Sequence, residues 1–236
     1  MKKNKKRGFL SKLKRWLLGL LVVWFSTTLL LVLCLRWFDP PTTAFMLQRD
    51  YSEEHGPIEI RHEWRELHRI APSLAMSVIA SEDQKFADHW GFDVAAIQQV
   101  IEDGKAGKQM RGASTISQQL AKNLFLWSGR SWVRKGLEVY FTAAIETLVP
   151  KQRILELYLN VAEFGDGIYG AEAAAQSIFG VPAESLSTHQ SALLAARLPA
   201  PKSYTIQPPS DYMEQRAEWI EQQIIQLGDQ AYLDRL

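Results

Sequence analysis

The sequence is constrained most by an uncharged run of 20 residues near its start, at positions 16–35. A helix of that length rises about 30 Å, which matches the hydrocarbon thickness of a lipid bilayer. Trp16 and Trp37 bracket the run, as is typical of side chains at the membrane interface. The hydroxyl-bearing residues inside it are Ser26, Thr27 and Thr28. Because such hydroxyls can bond the preceding helical turn, they are tolerated there. The run predicts a transmembrane helix at 16–36.

The charges of the chain are distributed unevenly around this run. Residues 1–36 hold nine Lys and Arg residues and no acid, and eight of the nine precede the run. Because positive flanks stay cytoplasmic, the chain after the run is predicted to lie outside. That outer part holds the remaining 18 basic residues against 26 acidic ones. An acidic balance disfavours nucleic acid as a partner, so any bound phosphate requires a local basic cluster.

A cleaved signal peptide and a buried helix of a soluble domain are the two other interpretations of the run. The run is long for a signal peptide, and the sequence Leu-Arg-Trp-Phe-Asp-Pro-Pro at its end lacks a small-x-small cleavage site. The basic residues upstream argue against a buried soluble helix. We therefore expect an uncleaved anchor. Cys34, the single cysteine, excludes an internal disulfide and a cysteine-rich metal site.

Helical patterns dominate the chain beyond Pro40 and Pro41, which interrupt a helix. Each predicted helix begins at a residue that favours a helix start. These residues are Asp93, Ser114 or Thr115, Ser131, Pro150, Ser187 and Ser210. An Ala-rich helix is predicted over 168–179, and alternating strand patterns are scarce. The sequence therefore predicts a basic tail at 1–15, the membrane helix at 16–36, a juxtamembrane segment at 37–60 and one mostly α domain at 61–236.

Three acids and a histidine follow the apolar stretch 74–80. They are Glu82, Asp83, Asp88 and His89. A cluster of acids is usually a solvated surface. A carboxyl that directly follows an apolar helix, however, lies at the edge of the core, where desolvation raises its pKa toward that of a working base. Glu82 occupies that position, whereas His89 is more typical of a hydrogen-bonded structural histidine than of a metal ligand.

Polar side chains recur at helical spacing in the segment 112–123. Gln118 lies one turn before Lys122 and Gln119 lies three residues before it, so all three can share one face. An exposed polar face opposite the leucines is the simpler interpretation. The alternative is a strip of hydrogen-bond donors for sugar or phosphate oxygens, close to the free N–H groups at the helix start.

Four cations lie close together in this acidic part of the chain. They are Lys122, Arg130, Arg134 and Lys135, within fourteen positions. A bound diphosphate would need such a cluster. Glu138 follows Arg134 by four residues and Lys135 by three, so it can also form ion pairs with them on the helix surface. Such pairs, worth about 0.3–0.5 kcal/mol each, are the alternative explanation for this arrangement.

Metal and nucleotide motifs are weak in this sequence. His62 and His68 flank a segment that resembles a zinc-protease helix, but they are six residues apart rather than four and cannot face one ion. Neither a Gly-x-Ser-x-Gly nucleophile elbow nor a glycine-rich phosphate loop ending in Lys-Ser or Lys-Thr occurs.

Together these segments resemble the glycosyltransferase domain that monofunctional peptidoglycan transglycosylases share with class A penicillin-binding proteins. The resemblance covers nearly all of residues 60–205 and rests on five ordered motifs, which are very specific as a set. The motifs are Glu82-Asp83-x-x-Phe86-x-x-His89-x-Gly91, Gly112-x-Ser114-Thr115-Ile116-x-Gln118-Gln119-x-x-Lys122-Asn123, Arg134-Lys135-x-x-Glu138, Lys151-x-x-Ile154-Leu155-Glu156-x-Tyr158-Leu159-Asn160 and the Ala-rich stretch 170–180. Because the chain stops at Leu236, without room for a transpeptidase domain, it is similar to the monofunctional form.

The resemblance implies a lysozyme-like α fold, a lipid II substrate, and displacement of a polyprenyl diphosphate by the 4-hydroxyl of a second sugar with inversion to a β-1,4 bond. Glu82 matches the family's base and Glu138 its second essential acid. The residues that match or support its diphosphate contacts are Lys122, Arg130, Arg134 and Lys135. The residues expected to position substrate are Gln118, Gln119, Ser114, Thr115, Asp83 and Phe86. The resemblance implies no definite cofactor requirement, and a divalent cation, Mg or Mn, near Glu138 is compatible with this chemistry.

The resemblance also implies a location and partners. We expect a single-pass protein of the bacterial inner membrane with its domain in the periplasm. Its expected partners are lipid II, the growing glycan strand and other wall-synthesis or division proteins, and not nucleic acid. Two other functions are compatible with parts of the sequence. A lysozyme-like hydrolase or lytic transglycosylase would need an acid but no cation cluster, and a membrane scaffold would need neither Glu82 nor Glu138.

Overall fold

The computed structural model describes residues 2–50, 59–107, 112–129 and 131–236. The α-helices in these ranges are α1 (Lys2–Cys34), α2 (Ala44–Asp50), α3 (Pro72–Glu82), α4 (Val94–Lys105), α5 (Ile116–Phe125), α6 (Trp132–Leu148), α7 (Lys151–Val161), α8 (Ala171–Phe179), α9 (Thr188–Arg197), α10 (Asp211–Leu227) and α11 (Gln230–Leu233). The strands are β1 (Arg61–His62), β2 (Glu163–Gly165) and β3 (Ile168–Tyr169), and 3-10 helices lie at Leu67–Arg69 and Ala183–Ser185. The prediction of a mostly α protein is confirmed.

Helix α1 contains the predicted anchor. Its stretch Lys12–Cys34 is long and apolar enough to cross a membrane, and most of the side chains in that stretch are exposed. The helix ends at Cys34, two residues before the predicted boundary, and a turn continues to Phe38. The outer end of α1 packs against the rest of the chain, since Val32 and Leu35 belong to the main hydrophobic core.

Helix α3 lies at the centre of the domain. Residues 74–80 are all buried, so the helix is covered on every side. Helices α9 and α10 pack against it, while α5 packs against α6 and α7. Pro72 occupies the first turn, where its missing N–H is not needed. This arrangement places Glu82 where the chain leaves the core.

Side-chain hydrogen bonds mark the start of most of the predicted helices. The residues whose side chains accept a backbone N–H of the first turn are Asp93, Thr115, Ser131, Ser187 and Ser210. Such caps satisfy N–H groups that have no partner inside the helix, which is why these starts could be predicted. Pro150 differs from the prediction, because it precedes α7 as the cap residue and the helix begins at Lys151.

The predicted helix over 168–179 is wrong at its start. Its first two residues form β3, which pairs with β2 in antiparallel and with β1 in parallel orientation. Gly170 follows with a φ of +86°, and a β-carbon there would lie 2.6 Å from the carbonyl oxygen of Asn160. Because only glycine adopts this backbone without strain, it separates β3 from α8, which begins at Ala171.

Gly170→Ala is expected to lower the free energy of unfolding by about 2 kcal/mol or more, because it adds both backbone strain and a clash. Urea denaturation followed by circular dichroism measures the change. Gly180→Ala is the matched control, since Gly180 also has a positive φ, +68°, but has no atom within 4 Å of an added β-carbon. A loss of about 1 kcal/mol is expected for the control, and equal losses for the two variants would contradict the close approach at Gly170.

Candidate active site

Glu82, the predicted base, is the last residue of α3. Gln119 of α5 donates its side-chain N–H to a Glu82 carboxylate oxygen at 2.6 Å. Tyr158 of α7 donates its hydroxyl to the amide oxygen of Gln119 at 2.9 Å, which orients the amide toward Glu82. Burial raises the pKa of Glu82, and the bond from Gln119 partly opposes that rise. The carboxyl is therefore fixed in position and more basic than a surface glutamate.

Asp83 and His89 organise the loop that follows α3. Gly91 donates its backbone N–H to His89 Nδ1 at 3.0 Å, so the proton of a neutral ring lies on Nε2, which donates to Asp83 at 2.8 Å. The other oxygen of Asp83 accepts the backbone N–H of Ile116 at 3.0 Å. These bonds join the end of α3 to the start of α5 and confirm His89 as a structural histidine.

The sequence predicts substrate contacts for Asp83 and Phe86, but the structure places both side chains inside the domain. Phe86 is fully buried, and Lys151 Nζ lies 4.4 Å from the centre of its ring. Both oxygens of Asp83 accept the bonds described above. The geometry therefore gives these two residues a part in shaping the loop, and it does not bring them to the cleft.

Four candidate residues at the start of α5 fall into two pairs. Thr115 and Gln118 form a reciprocal capping box, and Thr115 also donates its hydroxyl to the Gly91 carbonyl at 2.7 Å. Because both side chains are buried and bonded, they hold the helix start rather than a ligand. Ser114 is exposed and Gln119 is half-buried, so these two are accessible to a substrate.

Glu138 lies among cations on α6. Arg134 Nη1 is 3.1 Å from one carboxylate oxygen of Glu138, and Lys135 Nζ contacts the other. Glu138 is only 4% exposed and Arg134 is largely buried, so this pair is not the weak surface pair that the spacing also allowed. Lys135 is more exposed. A buried acid of this kind needs its partners, because an unpaired buried charge is costly. Glu138 therefore holds two cations in defined positions.

Lys122 lies near both acids. Burial lowers the pKa of its ammonium, whereas the negative charges of Glu138 and Glu82 raise it. The positive charges of Arg134 and Lys135 lower it further. Lys122 lies three residues after Gln119 on α5, and Gln119 bonds Glu82. Helix α5 packs against α6, which carries Glu138 with Arg134 and Lys135, so all five groups border one region of the molecule. The structure thus brings together the predicted base, the second acid and three of the predicted cations.

A cleft of about 220 Å³ opens beside Lys122 and Gln119. Its polar and aromatic lining includes Asn123, Tyr158, Glu163, Phe45 and Tyr169. Such a mixture suits a sugar, whose hydroxyls form hydrogen bonds while its apolar faces pack on aromatic rings. A larger cavity of about 550 Å³ lies near Arg153 and Leu236, and it contains none of the predicted site residues.

Two charged residues of the site were not predicted from the sequence. Arg216 of α10 acts on Glu82, since its positive charge lowers the pKa of that carboxyl against the effect of burial. Glu163 of β2 lines the cleft, where burial raises its pKa and the charge of Lys202 opposes the rise. No sequence spacing around Arg216 or Glu163 indicates a site residue. The packing of α10 against α3 and the position of the small sheet bring these residues to the site.

The diphosphate contact predicted for Arg130 stays a prediction, because this residue lies outside the described ranges. Within those ranges, no three His, Cys, Asp or Glu side chains are grouped so that they could hold a metal ion. His62 lies in β1 and His68 in a 3-10 helix, so they share no helix face. Both oxygens of Glu138 already bond cations, whereas Mg requires several free oxygen ligands. We therefore assign no step of the reaction to a metal ion.

The site combines a half-buried carboxyl of raised pKa with lysine and arginine side chains beside a polar cleft. The carboxyl can remove the proton of a hydroxyl nucleophile, and the cations can stabilise a phosphate that leaves. These are the two requirements of an enzyme that transfers a glycosyl group from a phosphate-linked donor.

Comparison with known proteins agrees with this class. The family model described as Transglycosylase matches residues 51–225. The biosynthetic peptidoglycan transglycosylases of Stutzerimonas stutzeri, Ectopseudomonas mendocina and Shewanella oneidensis are 56%, 53% and 50% identical to this chain. The alignments cover 96%, 96% and 91% of this chain and 92%, 95% and 92% of these relatives. The chain belongs to the transglycosylase family, and it is a glycosyltransferase as the sequence predicts.

Gln119→Leu is expected to move the acidic limb of the pH–rate profile to higher pH. The hydrogen bond from Gln119 lowers the pKa of Glu82, so its loss raises that pKa further and a higher pH is needed to ionise the base. The pH dependence of kcat/KM for glycan polymerisation measures the shift. Gln99→Leu, which removes an exposed bond to Asp103 on α4, is the control. An unmoved limb in Gln119→Leu would contradict the role of Glu82 as the base.

Proposed function

We propose that this chain polymerises lipid II into β-1,4-linked glycan strands, with inversion at the anomeric carbon and release of polyprenyl diphosphate. One observation carries the proposal. Gln119, which bonds Glu82, and Lys122 line the same cleft, so a base and a diphosphate-binding group border one region. Membership of the transglycosylase family supports glycan-strand polymerisation in cell-wall synthesis.

Glu82 acts on the acceptor in this proposal. A sugar hydroxyl is a poor nucleophile at neutral pH, so a base must take its proton as it attacks. The bond from O4 to the anomeric carbon forms, the bond from that carbon to the diphosphate oxygen breaks, and the proton passes to Glu82. The raised pKa of Glu82 suits this task, because a base is most effective when its pKa approaches the working pH.

Lys122 and the cations beside Glu138 act on the leaving group. The diphosphate gains negative charge as its bond to the sugar breaks, and preorganised cations stabilise that charge. Arg134 and Lys135 are held ready by Glu138, so they need little reorganisation during the reaction. We assign Glu138 to the positioning of these two cations, because both of its oxygens already accept bonds.

The anchor brings the cleft to its substrate. We propose that α1 crosses the bacterial inner membrane once, with the basic tail in the cytoplasm and the domain in the periplasm. The length and apolar character of α1 and the nine basic residues at 1–36 support this orientation. Since the polyprenyl chain of lipid II stays in the bilayer, a tethered site meets the substrate at a high effective concentration.

Separate incubations of the full chain with lipid II and with finished peptidoglycan test the reaction class. The chain is expected to polymerise lipid II and to leave finished peptidoglycan uncut, and a parallel assay with a chelator measures dependence on metal. Degradation of peptidoglycan without polymerisation would identify a hydrolase instead. Binding of the precursor without either reaction would identify a scaffold.

Glu82→Gln is expected to lower the rate of lipid II polymerisation by about 10²–10⁴-fold, because it removes the base. The domain is expected to stay folded, since the new amide can still bond Gln119. Polymer yield and thermal unfolding measure these two effects. Asp88→Asn is the control, because Asp88 belongs to the same loop but is exposed and pairs with Arg235 at the surface. Undiminished polymerisation by Glu82→Gln would refute the assigned role.

A further inference from the structure

Arg153 of α7 joins the outer end of the membrane helix to the catalytic domain. Its Nε–H donates to the carbonyl oxygen of Leu35 at 2.8 Å, and its Nη2 donates to Asp39 Oδ1 at 2.7 Å. Its Nη1 bonds Glu156, and the guanidinium carbon lies 5.2 Å from the centre of the Trp64 ring. All three nitrogens of one planar group are used, which a lysine ammonium cannot reproduce.

Leu35 offers Arg153 a carbonyl at the end of α1. The last carbonyls of a helix lack partners within it and carry the negative end of the helix dipole, so a cation is stabilising there. Leu35 is only 7% exposed and Val32 is 0% exposed, because this end of α1 packs into the main core. The guanidinium therefore binds the anchor at the point where it enters the domain.

A second contact lies lower on the anchor. Thr28 Oγ1 and the hydroxyl of Tyr140 on α6 are 2.7 Å apart. The rings of Trp24 and Phe25 lie 5.3 Å and 5.2 Å from that of Tyr140. Because Thr28 and Leu35 are separated by about 10 Å along the helix axis, the two contacts together restrict both rotation and tilt of the domain relative to α1.

The helix that carries Arg153 also supports the base. Tyr158, on the same helix α7, donates to Gln119, which in turn donates to Glu82. The apolar residues of α7 between positions 154 and 161 are buried in the core. This packing holds the helix in place between Arg153 and Tyr158. Helix α7 is thus a short, direct link from the membrane helix to the reacting carboxyl.

We propose that Arg153 is a positioning residue for glycosyl transfer, because it sets the height and tilt of the cleft above the membrane. The inference rests on the proposed function. A substrate anchored by a hydrocarbon chain presents its diphosphate at a fixed depth, and a misplacement of about 1 Å can cost about 10²-fold in rate. The clamp that Arg153 forms with Leu35 and Asp39 therefore matters for a substrate in a bilayer, and it does not matter for a substrate that diffuses freely.

Arg153→Gln in the full chain tests this with two substrates. One is lipid II with its full polyprenyl chain in phospholipid vesicles, and the other is a short-chain lipid II analogue in detergent. We expect kcat/KM to fall about tenfold or more in vesicles and to stay near that of the unmodified chain with the analogue. Arg61→Gln is the matched control, because Arg61 is exposed and pairs only weakly, at 3.7 Å, with the exposed Glu59.

Asp39→Asn is a milder variant that tests the same contact if Arg153→Gln folds poorly. Asp39 is half-exposed and lies outside the core, so the change to Asn removes the negative charge from one partner of Arg153 without opening the domain. A smaller loss with the same preference for the vesicle substrate is expected. Equal losses on both substrates would indicate only a stabilising role, and no loss on either would remove any role; both results overturn the proposal.

A distance measurement separates this proposal from the proposed function. Spin labels at positions 20 and 218, where Leu20 and Glu218 are exposed, report the geometry between α1 and α10 after Cys34→Ser. Arg153→Gln is expected to broaden the distribution of distances in vesicles, and an unchanged distribution would overturn the clamp. If the unmodified chain polymerises neither substrate, the proposed function fails, whereas the distances still decide whether Arg153 fixes the domain.

Discussion

The burial of helix α3 is the constraint on which the rest of the structure depends. Residues 74–80 are enclosed by other helices, and apolar burial of this kind is the main favourable term in folding. The same burial decides the chemistry, because the helix ends at Glu82 and carries that carboxyl to the edge of the core. Desolvation there raises the pKa of Glu82. One packing arrangement therefore both stabilises the domain and raises the pKa of the residue predicted as the base.

Burial raises the pKa of Glu82, and the surroundings of this carboxyl limit that rise. Gln119 does so with a hydrogen bond, and Arg216 and Lys122 do so with positive charge. Gln119 and Lys122 come from α5, whereas Arg216 comes from α10, which packs against α3. The working pKa is thus a balance between a core that excludes water and neighbours that stabilise the ionised form.

Local patterns predicted those features that depend on neighbours within about one helical turn. The caps at Asp93 and Ser131 were predicted because a cap bonds a group three residues away. The strand β3 was missed, because it is only 2 residues long and because its pairing with β1 involves residues distant in sequence. The glycine after it then ends the extended segment. Thr115 and Gln118 were predicted as ligands of a substrate, yet their spacing equally fits the capping box that the structure contains.

The sequence by itself determined the anchor, the order of the helices, the acid that follows an apolar helix and the presence of a cation cluster, since composition and spacing encode each of these directly. Only the tertiary structure decided that Glu82, Lys122 and Glu138 border one region, that the charge of Arg216 acts on Glu82 and that Arg153 binds the end of α1. The physical reason is that these contacts join helices whose mutual packing depends on the whole core. No spacing along the chain specifies which side chains from separate helices will face one another.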